Sequence, residues 1–151
     1  LEHNIRENFG LPNLDQFSRI AFLNQMKEKS AFDRYVQQLQ IKISSQEQLA
    51  KNLSGGNQQK VVLSKWLQRN CEILIFDEPT RGIDVGAKYE IYLLMNQLAA
   101  QGKSIIIISS ELPEIIGMCD RILVIRQGRI ANEVSAHPNL TQNQLLEMAI
   151  R

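Results

Sequence analysis

Leu53-Ser54-Gly55-Gly56-Asn57-Gln58 decides the fold when read with Ile73-Leu74-Ile75-Phe76-Asp77-Glu78-Pro79-Thr80, which follows after the length of one helix and a turn. The first stretch offers a hydroxyl and bare backbone amides at the expected start of a helix, a ready site for a phosphate. Glycine is needed there because any Cβ would hold the backbone away from phosphate oxygens. The second stretch is an unbroken apolar run ending in two carboxylates, which suits Mg²⁺ and a polarised water. A lone Ser-Gly-Gly is as often an ordinary helix cap, and a lone Asp-Glu is more often a solvated strand end. Their combination, in this order, suits a phosphate handled together with Mg²⁺ and a water.

Around this pair the composition sets bounds. The chain has 151 residues, 44% hydrophobic and 22% charged, enough for one globular domain with a real core. The formal net charge of +1 gives no global pull toward nucleic acid or an acidic membrane surface. Cys71 and Cys119 form no Cys-x-x-Cys and are expected to be small buried hydrophobes in a reducing setting. No apolar run approaches the ~18 residues of a membrane span. His3 and His137 read as surface residues. The first residue is Leu1, and the chain reads as a piece of something longer.

The pattern elsewhere sorts into elements. Residues 1–13, with Gly10 and Pro12, are expected to be irregular. Residues 14–40 carry helical spacing through Phe17, Ile20, Ala21, Met26, Phe32, Tyr35, Val36 and Leu39. A helix over 57–68 is expected to carry Val61, Val62, Lys65 and Trp66, with Leu63 and Leu67, as an apolar stripe on one face. The runs 73–76 and 105–108 lack alternation and predict strands buried on both faces. Residues 89–100 predict a helix burying Ile91, Leu94, Met95 and Leu98, closed by Gly102. A short helix with Pro113 in its first turn follows over 111–119. Two strands then turn at Gln127-Gly128, and Thr141 with Gln144 is spaced as a capping box. Strand–helix alternation in the C-terminal half predicts a parallel α/β sheet.

From about Ile5 to about Val134 the chain resembles the ATP-binding cassette (ABC) ATPases, with Leu53–Gln58 as the signature motif and 73–80 as the Walker B segment. The resemblance implies an α/β fold: the C-terminal portion of a P-loop NTPase domain, a helical subdomain followed by part of a parallel sheet flanked by helices. It divides the chain into a helical subdomain with the signature and its helix (1–70), part of the RecA-like core (71–134) and a C-terminal helix (135–151), one incomplete ABC domain. It implies that Ser54, Gly55 and Gly56 contact ATP held by the P-loop of a facing cassette, acting in trans. Asp77 would order Mg²⁺ through water, Glu78 would polarise the attacking water, and Asp84 would be the D-loop aspartate.

Three departures matter. Asn57 stands where the family usually has Gln, and no nucleotide contact is assigned to it. Arg81-Gly82-Ile83-Asp84 replaces the commoner Ser-Ala-Leu-Asp, with Arg81 expected as a surface charge. Ser110 occupies the switch position where the family has a His, which implies a weakened site built on this chain's own Asp77 and Glu78. The string from Arg81 to Lys88, with Gly-Gly-Asn-Gln-Gln-Lys upstream, is similar to the second cassette of tandem ATPases from bacterial sugar importers of the ribose, galactose and xylose type.

The resemblance therefore implies a part of an ATP hydrolase that energises monosaccharide import. Its cofactors would be ATP and Mg²⁺. Its partners would be a facing cassette, transmembrane permease subunits and, indirectly, a periplasmic sugar-binding protein, with no nucleic acid. Its place would be the cytoplasmic face of the bacterial inner membrane, held peripherally. No Gly-x-x-x-x-Gly-Lys-Ser/Thr occurs in the sequence, so the isolated chain is expected to bind MgATP weakly and to self-associate through an unpaired sheet edge. Two alternatives stand beside this: a soluble ABC ATPase not linked to transport, and a nucleotide-binding clamp without turnover.

Overall fold

The computed structural model describes residues 2–20 and 22–150. The chain divides into two compact units: one runs to residue 74 and resumes over Thr80–Ser104, and the other holds Ile75–Pro79 and the residues from Ile105 on.

The first unit opens with a helix, α1 (Ile5–Gly10), where irregular chain was expected. The cause is a capping box. The Glu7 amide donates to Asn4 Oδ1 at 2.8 Å, and the Asn4 amide donates to Glu7 Oε2 at 3.2 Å. Pro12 follows in a 3₁₀ turn, Leu11–Asn13, which leads into α2 (Leu14–Phe17). The helical spacing read over 14–40 then breaks. Ser18–Arg19 (β1) and Phe22–Leu23 (β2) pair antiparallel, with Ile20 turning at φ +50°. Ile20 and Met26 fit the helical period yet are 84% and 83% exposed. Ala21 lies outside the described residues. α3 (Gln25–Gln38) restarts at Asn24, whose side chain accepts from the Lys27 amide.

Phe9 anchors this unit's core, fully buried, with ring centroids 5.0 Å from Phe32, 5.7 Å from Tyr35 and 5.9 Å from Phe17. The same unit holds a buried charge, Glu28. Arg6 Nη1 is 3.0 Å from Glu28 Oε2, and Arg6 Nε is 3.1 Å from Glu47 Oε1. A Cβ at Gly10 would fall 1.7 Å from Glu28 Oε1, so any side chain there would have to push the carboxylate away from its present place. Burial pushes the Glu28 carboxyl above its ordinary value, and Arg6 opposes this.

α4 (Gly55–Leu67) is tied to the first turns by Asn13, whose amide donates to Phe9 O at 3.0 Å and Lys65 O at 2.8 Å. It buries Gly56, Lys60, Val61, Leu63 and Ser64. Val62 and Trp66, expected on the apolar stripe, are 40% and 51% exposed. α5 (Val85–Ala100) buries Ile91, Leu94, Met95 and Leu98 as the spacing predicts. Gly102, at φ +87°, ends it in a left-handed turn that a Cβ would strain.

β3 (Ile73–Asp77) pairs with β4 (Ser104–Ile108). The Ser104 amide donates to Glu72 O, and the Glu78 amide donates to Ile108 O, so the strands run parallel. Burial on both faces does not hold. Ile73, Ile75, Ile106 and Ile108 are 60%, 66%, 49% and 51% exposed, because among the described residues this is a two-stranded sheet with nothing over that face.

The second unit continues with α6 (Leu112–Met118), carrying Pro113 in its first turn. β5 (Arg121–Arg126) and β6 (Arg129–Ser135) form an antiparallel hairpin. Gln127 at φ +49° and Gly128 at φ +73° supply its tight turn. α7 (Gln142–Ile150) starts at the Thr141–Gln144 box, where the Thr141 amide donates to Gln144 Oε1 at 2.8 Å. Ile115, Ile122, Val124, Leu140 and Leu145 make the core, with Ile107 and Met148 packed on it.

Cys71 is exposed, contrary to expectation, and Cys119 is half-buried, its thiol pushed up by burial. His3 and His137 are exposed, and His3 Nδ1 lies 3.4 Å from Glu7 Oε2. Among the described residues no helix is long and apolar enough to cross a membrane.

Candidate functional site

The first unit carries Ser54, Gly55, Gly56 and Asp84. Ser54 stands at the N-cap position of α4 with extended backbone (φ −61°, ψ 154°), but its side chain does not cap the helix. Its Oγ instead accepts from Asn57 Nδ2 at 2.9 Å. Asn57 Oδ1 in turn accepts the Lys42 amide at 2.8 Å. Ser54 and Gly55 are exposed and Gly56 is buried. The first amides of an α-helix have no intrahelical acceptor, and the helix dipole adds positive character there. The arrangement can therefore present a hydroxyl and backbone N–H groups to an anion.

One close approach, at Gly56, fixes the position of that turn. A Cβ at Gly55 would lie 3.6 Å from Gly82 O and 3.7 Å from Ile83 Cγ2, an ordinary contact. A Cβ at Gly56 would lie 2.9 Å from Ala87 Cβ, closer than two carbons tolerate. The Ser-Gly-Gly turn thus packs on the loop 80–84 and the first turn of α5. One turn further along each helix, Lys60 Nζ and Glu90 Oε2 pair at 2.5 Å. Asp84 caps α5 by accepting from the Ala87 amide at 3.0 Å. That bond, with a smaller pull from Lys42, holds the Asp84 carboxyl below its ordinary value. Gly82 turns the loop at φ +72°, and Arg81 is exposed.

The second unit carries Asp77, Glu78 and Ser110. Asp77 ends β3 with an exposed side chain. Glu78 turns out of the strand in the left-handed region, at φ +48°, held there by its amide on Ile108 O at 2.8 Å. A non-glycine residue in that region costs roughly 1–3 kcal/mol and is worth noting at a candidate site. Both Glu78 oxygens are engaged by Ser110: the amide donates to Oε1 at 3.0 Å and the hydroxyl to Oε2 at 3.2 Å. Next to it, Ser109 Oγ donates to Glu114 Oε2 at 2.5 Å and accepts from the Glu111 amide at 3.0 Å, fixing the backbone that presents Ser110.

Among the described residues no group of three or more His, Cys, Asp or Glu is placed to hold a metal. A lone exposed carboxylate beside a phosphate still suits Mg²⁺, which keeps several waters and takes one or two protein carboxylates. Asp77 fits that role.

The sequence brought forward Ser54, Gly55, Gly56, Asp77, Glu78, Asp84 and Ser110. It did not bring forward Lys42 or the role of Asn57, nor the Ser110–Glu78 contact. Asn57 lies three residues after Ser54 on the same helix, so that contact was available as an i, i+3 pair.

The family described as "ABC transporter" matches residues 2–81, more than half of the chain. The Ribose import ATP-binding protein RbsA of Bacillus subtilis (strain 168) is 50% identical over 149 residues, covering 99% of this chain and 30% of that protein. The Xylose import ATP-binding protein XylG of Thermoanaerobacter pseudethanolicus is 54% identical over 130 residues, covering 86% of this chain and 26% of that protein. The chain thus spans about a third or less of the relatives it matches. Among solved structures, a bacterial ABC transporter cassette in dimeric form superposes with a TM-score of 0.72 at 23% identity, covering 89% of this chain and 57% of that one. The ADP conformation of an ATP-binding cassette of an ABC transporter gives 0.73 at 24%, covering 99% and 63%. The fold is that of part of a P-loop NTPase cassette, and the chain belongs to the ABC transporter family.

Proposed function

We propose that the chain is the C-terminal part of the second nucleotide-binding cassette of a bacterial ABC importer for a monosaccharide. The similarity to ribose and xylose import ATP-binding proteins supports the transport class. One structural observation carries the site reading: an exposed Ser54 hydroxyl and the glycine amides stand at the start of a 13-residue helix, with the hydroxyl not spent on capping it. In this reading, Ser54, Gly55 and Gly56 close over the terminal phosphate of ATP held by a facing cassette. Asp84 lies in the loop packed beneath them. Asp77 would hold Mg²⁺, which when bound offsets charge on the phosphates. Glu78, its carboxylate steered by Ser110, takes the proton-side contact with the attacking water. The partners are the facing cassette and transmembrane permease subunits, with a periplasmic sugar-binding protein acting through them. The chain works at the cytoplasmic face of the membrane. The exposed isoleucines of β3 and β4 favour self-association of the isolated chain, and the missing P-loop motif favours weak MgATP binding by it.

A second reading is favoured by Ser110. Its hydroxyl is directed to Glu78 and carries no positive charge, so the site built on Asp77 and Glu78 would bind ATP as a clamp without turnover. Glu78→Gln in the full-length protein separates the two, because it keeps the shape and removes the base. The enzyme reading expects hydrolysis and sugar uptake to fall together. Unchanged hydrolysis sinks that reading and supports the clamp.

A further inference from the structure

We propose that Asn57 is a positioning residue that sets the direction in which the Ser54 hydroxyl donates its proton. This rests on the reading of Ser54 as a ligand of a terminal phosphate. The geometry fixes the polarity of the contact. The Lys42 backbone N–H can only donate, so the Asn57 atom 2.8 Å from it is the carbonyl oxygen. The amide nitrogen then faces Ser54 Oγ at 2.9 Å. An amide nitrogen can only donate, so Ser54 Oγ is the acceptor in that contact and keeps its own proton for another partner. A terminal phosphate bears oxygens that accept. The pair Lys42–Asn57 therefore holds the hydroxyl as an acceptor on the protein side and a donor toward the ligand. Backbone anchoring at Lys42 also makes the setting rigid: the amide cannot rotate without leaving a main-chain N–H unpaired.

The acid tests this directly. Asn57→Asp is nearly isosteric and still accepts the Lys42 amide. Its second oxygen, however, accepts the Ser54 proton and turns the hydroxyl away from the phosphate. Asn57→Gln keeps both a donor and an acceptor. The experiment measures kcat and KM for ATP, with thermal midpoints, in the full-length protein carrying Asn57→Asp, Asn57→Gln, Ser54→Ala and the Ser54→Ala/Asn57→Asp pair. The proposal expects Asn57→Asp to lower kcat about tenfold or more, the scale of losing one hydrogen bond to a charged group. It expects Asn57→Gln to retain about half of kcat, and Asn57→Asp to add less than about twofold once Ser54 is alanine. Equal losses from Asn57→Asp with and without the hydroxyl would overturn it, as would Asn57→Gln falling as far as Asn57→Asp. Full hydrolysis in Ser54→Ala would instead remove the phosphate-ligand reading on which it rests. Should the aspartate variant fail to fold, the glutamine comparison alone still decides, since loss of kcat there with an unchanged midpoint overturns it.

Discussion

Ser110 grips Glu78 by both carboxylate oxygens, through its amide at 3.0 Å and its hydroxyl at 3.2 Å. The hydroxyl thus holds the carboxylate beside it rather than capping a helix or facing solvent alone. Ser110→Ala keeps the amide bond and deletes the hydroxyl one. The net worth of such a bond is about 1 kcal/mol, or roughly fivefold in rate. In the full-length protein kcat should fall by about that factor at this site, with KM for ATP unchanged. A rise in kcat would mean that Ser110 restrains Glu78 and would favour the clamp.

Gly56 and Ala87 meet with no space for another carbon. Gly56→Ala must push the start of α4 from the start of α5, at a cost of about 1–3 kcal/mol. Urea unfolding should show that loss. Ala87→Gly restores space and should recover part of it, less the roughly 1 kcal/mol that glycine costs in a helix. If Ala87→Gly costs as much in the Gly56→Ala background as it does in the parent, the contact is not the cause.

Glu28 gives a pH signature. Burial raises its carboxyl above the ordinary 4.5, so the folded chain binds this proton more tightly than the unfolded chain. Its contribution to stability is full below that value and is lost as pH rises through the raised folded value. Glu28→Gln keeps an oxygen for Arg6 and cannot ionise. Its stability relative to the parent should therefore climb as pH is raised through that window, measured by urea titration at a series of pH values. A parent that gains on the variant there would contradict the burial argument.

How much of this was legible in the sequence depended on the range of the interaction. The α5 face came through because Ile91, Leu94, Met95 and Leu98 follow a helical period and pack on it. The period misled at Ile20, where a two-residue β pair and a left-handed turn interrupt the helix, and at Met26, which lies in the first turn of α3 on its exposed side. α1 was missed although its Asn4–Glu7 box is written in the sequence, because Gly10 and Pro12 drew the reading toward a turn. The faces of β3 and β4 were misjudged because an apolar run does not say what covers it. At the site, residue types pointed to Ser54, Asp77 and Glu78. The Asn57–Lys42 and Ser110–Glu78 contacts join residues distant along the chain, and periodicity carries no information on such pairs.

Ser54, Gly55 and Gly56 are proposed to serve a nucleotide held by the facing cassette. The most direct measurement places Ser54→Arg in two full-length backgrounds, each with the P-loop lysine of one cassette replaced, and follows steady-state ATP hydrolysis. Where only the facing cassette's P-loop works, the account predicts that Ser54→Arg abolishes the remaining hydrolysis. Where only the P-loop of the cassette containing this chain works, it predicts little change. The opposite pattern would show that Ser54 acts in cis and would contradict the account.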